Sequence, residues 1–291
     1  MQRTFAFFAA ILLTTVTVTS ACLATEPDNM RFTLQPGHRA GEVQLALRSG
    51  RNGHNNMSSS FRSAELGGFN VASLRGNGPV NFALIREAGR LDCAGTAHAS
   101  QADGNCRFTE NQSFSSLLAS RGMARPTREQ AYGLTMVEAN RGLLDALHAA
   151  NYPLPSVDDY IGMSAVGVTP AYITDLARAG YRPADAERLI EFRAVGVTPE
   201  YLGSLARAGY ANLPADKVVE LAALDIDPEF IRGFERIGYR DLPVETLVEL
   251  KALEITPEYV RAVQQSSLKA QSLDKLVQLK AIGFEPSAGS R

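Results

Sequence analysis

The sequence predicts an α+β chain in two parts: a small antiparallel β domain, then an α-helical hairpin-repeat solenoid. Two observations carry this. In the second half a helix-starting pair recurs every 29 residues, at Thr169-Pro170, Thr198-Pro199, Asp227-Pro228 and Thr256-Pro257, with Glu285-Pro286 on the same grid. A fixed period of this size marks stacked repeats. In the first half the apolar residues alternate instead, as Met30, Phe32, Leu34, then Val43, Leu45, Leu47, then Val80, Phe82, Leu84. A period of two with polar neighbours means half-buried strands.

Residues 1–24 read as an export signal. Arg3 precedes an apolar run from Phe5 to about Val18, followed by the small residues Thr19-Ser20-Ala21. The run is too short to span a bilayer as a helix. Ser20-Ala21-Cys22 fits a bacterial lipoprotein signal, which makes Cys22 the lipidation candidate and the first mature residue. Thr19 stands where leucine is usual, and soluble export with cleavage near Ala24 is the alternative.

Residues 25–111 form the expected β domain, read as a small antiparallel sheet or sandwich. Val43-Gln-Leu-Ala-Leu echoes Val80-Asn-Phe-Ala-Leu, which suggests two similar hairpin-containing halves, and the Gly-, Asn- and Ser-rich stretch Arg48–Ser60 reads as a loop. Cys93 and Cys106 lie on the flanks of an expected hairpin. If they face one another, Leu91 faces Phe108, Gly95 faces Gly104 and Asp92 faces Arg107. One register then satisfies an apolar pair, a charge pair and a disulfide. An exported chain meets the oxidising conditions such a bond requires.

Residues 112–285 hold six expected units, starting at 112, 141, 170, 199, 228 and 257, with a short C-terminal stub over 286–291. The units at 170, 199, 228 and 257 open with a Thr or Asp cap before proline, and Asn140 holds the cap position before Arg141; that side chain accepts an orphan N–H at the helix start. Apolar residues such as Tyr172, Ile173 and Leu176 share one helical face. The helix ends at Gly122, Asn151, Gly180, Gly209 or Gly238, residues that tolerate the left-handed conformation of a C-terminal cap. A second helix follows, with an acid near its start in every unit (Glu129, Asp158, Glu187, Asp216, Glu245, Asp274). The last unit departs at Ser267 and Leu268, as a polar end cap does.

The formal charge of −2 and the absence of a long basic run argue against nucleic acid as partner. None of the four histidines has metal-pair spacing; His148 reads as a structural residue beside a core face. Two S-x-x-K matches lack their companion motifs and fall on repeat positions. The sequence therefore predicts no catalytic residue, metal or cofactor. It does place Arg178, Arg207 and Arg236, together with Tyr181, Tyr210 and Tyr239, at the same position of successive units. Tyr and Arg dominate interaction hot spots, so these six form the candidate interaction stripe. Helix-end staples for the tyrosines and solvated charges for the arginines are the alternatives.

The units Gly196-Val-Thr-Pro-Glu-Tyr-Leu to Leu205-Ala-Arg-Ala-Gly-Tyr210 resemble a helical repeat of exported bacterial proteins of unassigned function. Similar units are appended to membrane metallopeptidases of the beta-lactam-sensor type. The metal motif and membrane helices of those peptidases are not in this sequence, and no catalytic residue carries over. The resemblance implies a non-catalytic scaffold or protein-interaction module of the cell envelope, periplasmic or anchored at the outer membrane. Its partner would be an envelope protein, and the membrane would be reached only through the candidate lipid anchor. A ligand-sensing module, with the β domain binding a small molecule or glycan, is the alternative.

Overall fold

The computed structural model describes residues 30–49, 55–266 and 272–286. The export signal, Cys22, the Ser267-Leu268 departure and residues 287–291 lie outside them. Among the described residues the chain divides into two compact units. The first runs to Ala119 and includes Arg125–Met136; the second holds Ser120–Ala124 and everything from Val137.

The first unit is built on one antiparallel sheet of seven strands: β1 (Met30–Pro36), β2 (Glu42–Ser49), β3 (Asn55–Arg62), β4 (Leu66–Gly67), β5 (Gly78–Ile85), β6 (Gly89–His98) and β7 (Gln101–Glu110). Their order is β3-β2-β1-β7-β6-β5-β4. The alternating residues of β1, β2 and β5 are all buried on one face. A 3₁₀ turn, Val71–Arg75, brings Leu74 onto that face. Phe69, Phe82 and Phe32 form a chain of edge-on rings at 6.0 and 5.1 Å.

The β6–β7 hairpin adopts the expected register, with Cys93 opposite Cys106, Leu91 opposite Phe108, Gly95 opposite Gly104 and Asp92 opposite Arg107. The two sulfurs are joined at 1.99 Å. Asp92 draws its ion pair from Arg90 on its own strand, at 2.7 Å, and not from Arg107. The Gly95–Gly104 pair has a packing reason. A Cβ on Gly104 would lie 2.8 Å from the Phe32 ring and 2.2 Å from the Ala94 carbonyl oxygen, so the ring covers backbone where a side chain would stand.

Two expectations need correction. The stretch expected as a loop, Arg48–Ser60, contains the end of β2 and most of β3, which pairs with β2 along its whole length. The Ser-rich composition concealed a period of two in Met57, Ser59 and Phe61, and pairing to a buried neighbour outweighs weak strand propensity. The boundary expected at residue 111 also differs. Helices α1 (Gln112–Ser120) and α2 (Arg128–Met136) form the first helical pair of the grid, yet both, apart from Ser120, belong to the sheet's unit. Tyr132 packs edge-on against Phe108 at 5.5 Å, and Arg128 donates to the Phe108 carbonyl at 2.9 Å.

The second unit contains α3 (Arg141–Ala149), α4 (Val157–Ala165), α5 (Pro170–Arg178), α6 (Ala186–Ala194), α7 (Pro199–Arg207), α8 (Ala215–Ala223), α9 (Pro228–Glu235), α10 (Val244–Ala252), α11 (Pro257–Gln265) and α12 (Leu273–Ala281). Successive odd helices start 29 residues apart, as do successive even ones. Thr169, Thr198, Asp227 and Thr256 each accept the backbone N–H three residues on. Ser156 and Asp159 form a reciprocal capping box at the start of α4.

Gly180, Gly209 and Gly238 end their helices at φ of 81°, 88° and 96°. The N–H of the following Tyr181, Tyr210 or Tyr239 returns to the carbonyl of Leu176, Leu205 or Phe234. The second helix of each pair closes in the same way, an ending beyond the one expected for the first helices. Val168, Val197, Ile226, Ile255 and Phe284 bond back to Met163, Phe192, Leu221, Leu250 and Leu279. The residue before each has positive φ: Gly167, Gly196, Asp225, Glu254 and Gly283. The visible signal was a glycine two residues before Thr-Pro, masked where Asp or Glu replaces it.

Candidate interaction surface

First helices of the second unit pack on one another (α3 on α5, α5 on α7, α9 on α11), and so do second helices (α4 on α6, α8 on α10). Polar side chains stitch these layers at the same 29-residue interval. The Tyr172, Tyr201 and Tyr259 hydroxyls donate to the carbonyls of Val197, Ile226 and Phe284 at 2.7, 2.9 and 3.0 Å. Burial pushes the Tyr172 phenol up to about 12 and that of Tyr201 higher still, so both remain neutral donors. A cation stands over the same ring position: Arg193 over Tyr172 at 5.2 Å, Lys251 over Phe230 at 5.1 Å and Lys280 over Tyr259 at 4.9 Å. Arg193 and Lys251 also donate to the carbonyls of Gly167 and Asp225.

The acids at the starts of the second helices extend this pattern. Arg188 pairs with Glu191 on its own helix and reaches Asp216 on the next second helix at 3.9 Å. Lys217 meets Glu220 and Glu245 at 2.9 Å each, and those bonds hold its ammonium well above the usual lysine range. Asp216 and Glu245 therefore make contacts between successive second helices as well as standing at helix starts.

The expected stripe separates into two groups. Its tyrosines are half-buried and pack against neighbouring elements. Tyr210 donates to the Leu242 carbonyl at 2.6 Å, Tyr181 lies against the Leu213 backbone and 6.5 Å from the Phe192 ring, and Tyr239 is half-buried. Its arginines face outward. Arg178 is exposed and pairs with Asp175 at 2.7 Å; Arg236, also exposed, pairs with Glu229 at 2.7 Å. Hydrogen bonding from Arg236 and then from Arg232 holds the Glu229 carboxyl below its usual range. Arg207 is exposed and forms no ion pair among the described residues. One guanidinium thus stands near the end of each of three successive first helices. His148, expected beside a core face, is exposed on α3.

Comparison with protein-family models, with curated proteins and with solved structures returned no match.

The β unit carries a separate, open cleft of about 590 Å³ on the outer face of its sheet. Asn81, Asn105, Arg90, Asp92 and Arg107 line it, with Gly67 and Gly68 at its rim. Among the described residues no three His, Cys, Asp or Glu side chains gather as a metal site, and no helix is long and apolar enough to cross a membrane.

Proposed function

We propose that this chain is a non-catalytic scaffold of the bacterial cell envelope, an exported α-solenoid of helical hairpins that offers its length to a protein partner. One observation supports the reading: Arg178, Arg207 and Arg236 recur 29 residues apart and are exposed, while the tyrosines of the same expected stripe are half-buried. A partner lying along the layers would meet all three. Kinship with exported helical-repeat proteins rests on the Gly-Val-Thr-Pro-Glu-Tyr units alone. The export signal and Cys22 supply the address, with lipidation of Cys22 as the proposed anchor.

The test is the variant R178A/R207A/R236A. Repeat stacks spread their stability over neighbouring interfaces, and exposed ion pairs contribute on the order of 0–1 kcal/mol. The variant is therefore expected to melt as the parent does while losing quantitative capture of its envelope partner. Each arginine at a desolvated contact would contribute on the order of 1–2 kcal/mol. Normal melting with undiminished capture would refute the assigned surface. The outer-face cleft of the β unit favours the second reading, a small polar ligand held by Asn81, Asn105 and Arg107. It predicts saturable binding abolished by R107A and unaffected by the triple variant.

A further inference from the structure

The two edges of the sheet are treated differently. On one side β4 has only two residues, the neighbouring β5 carries Pro79 near its start, and an ion cluster of Arg62, Glu65 and Arg86 sits where the chain turns into β4. These are the devices by which natural sheets blunt an edge. The opposite edge, β3, shares only its last residue, Arg62, with that cluster and otherwise has none of them. β3 runs for eight residues as Asn-Asn-Met-Ser-Ser-Ser-Phe-Arg, with no proline, no lysine, no acid and a continuous ladder to β2. Such an edge is a template for another strand.

The phase of that ladder follows from one bond. The Ser63 N–H donates to the Gly41 carbonyl at 2.8 Å, and β2 and β3 keep the same register throughout. Alternation then turns the backbone groups of Phe61, Ser59 and Met57 toward β2, and those of Arg62, Ser60, Ser58 and Asn56 outward. The Arg62 N–H is taken by Glu65. The N–H and C=O groups of Ser58 and Ser60 have no backbone partner among the described residues.

We infer that β3 is a dimerisation strand, pairing antiparallel with β3 of a second copy about a two-fold axis at Ser59. The strand is self-complementary in that register. Ser58 faces the partner's Ser60, and Ser60 the partner's Ser58, so both pairs exchange their outward N–H and C=O groups. Met57 faces the partner's Phe61 on the side of the sheet that is buried, where both already pack on the core. Ser59 faces itself with a small side chain, and no charge meets a like charge. A two-fold contact is closed and stops at two copies, which distinguishes it from open-ended edge aggregation.

The experiment is sedimentation velocity on the purified full chain, with two charge variants of the exposed outer-face positions. The parent is expected to sediment as a dimer. S58K/S60K sets lysine opposite lysine in both central pairs and is expected to be monomeric, as is S58E/S60E. Mixing the two variants sets lysine opposite glutamate and is expected to restore the dimer, which also shows that neither variant is unfolded. Register is read from S59C, whose two introduced thiols are expected to form an interchain disulfide on mild oxidation, whereas S60C, whose sulfurs would be offset along the strands, does not. A monomeric parent at all concentrations, a dimer that survives S58K/S60K, or a mixture that stays monomeric would each overturn the proposal.

Discussion

The second helix of each pair ends on a left-handed residue, and the identity of that residue varies: glycine at 167, 196 and 283, but Asp225 at φ 52° and Glu254 at φ 55°. An L-residue with a Cβ pays about 1–2 kcal/mol in that region, and glycine pays about 0.5–1 kcal/mol more than alanine in lost chain entropy. Glu254→Gly is therefore expected to stabilise the protein by about 0.5–1 kcal/mol. The closing bonds survive, since the Glu254 N–H to Lys251 and the Ile255 N–H to Leu250 are backbone bonds. The carboxylate lost is exposed and acts on Lys280 only at long range, within the small range of surface charges. The converse change, Gly196→Glu, meets no atom within 4 Å and should cost a similar amount from backbone strain alone. The assay is far-UV circular dichroism through heat and urea unfolding, where a change of this size moves the midpoint by about 2 °C. An E254G midpoint below that of the parent, or no response to either substitution, would refute the shared ending.

Three further outcomes follow from the same structure. Reducing Cys93–Cys106 should destabilise the β unit by roughly 2–3 kcal/mol through the short loop it closes, and mass measurement with and without reductant should report one bond in the oxidised chain. Gly104→Ala should cost about 3 kcal/mol or more, because the new methyl meets a carbonyl oxygen and the Phe32 ring, neither free to retreat; a normal melting curve would place Phe32 elsewhere. Burial raises the phenol pKa values of Tyr152, Tyr172, Tyr181, Tyr201, Tyr210 and Tyr259. Their contribution is complete below the unfolded value of about 10 and falls as pH rises toward and past 12, the value reached by Tyr172. Helical signal held constant to pH 12 would show these hydroxyls to be solvated.

What was legible in the sequence depended on periodicity. Caps, prolines and glycines mark the helices of the second unit because each acts locally, and their displacement by 29 residues appears in the helix boundaries without adjustment. The β6–β7 register was legible because two cysteines, two glycines and an apolar pair agree on one alignment. β3 was not, since serine carries almost no strand signal and its pairing is decided by β2. The assignment of α1 and α2 to the sheet's unit was not legible either, because Tyr132 reads as a repeat position and its packing on Phe108 is a long-range contact. Within the candidate surface, the exposure of the arginines depends on layer packing rather than sequence spacing. The recurring cations Arg193, Lys251 and Lys280 were visible on the grid, but their place over aromatic rings needed the fold.

The decisive measurement for the proposed surface is hydrogen–deuterium exchange of the chain alone and with a protein it is found to capture. Added protection is expected at the ends of α5, α7 and α9, around Arg178, Arg207 and Arg236, recurring at 29-residue intervals. Protection confined to the β unit, or scattered without that period, would contradict the proposed surface.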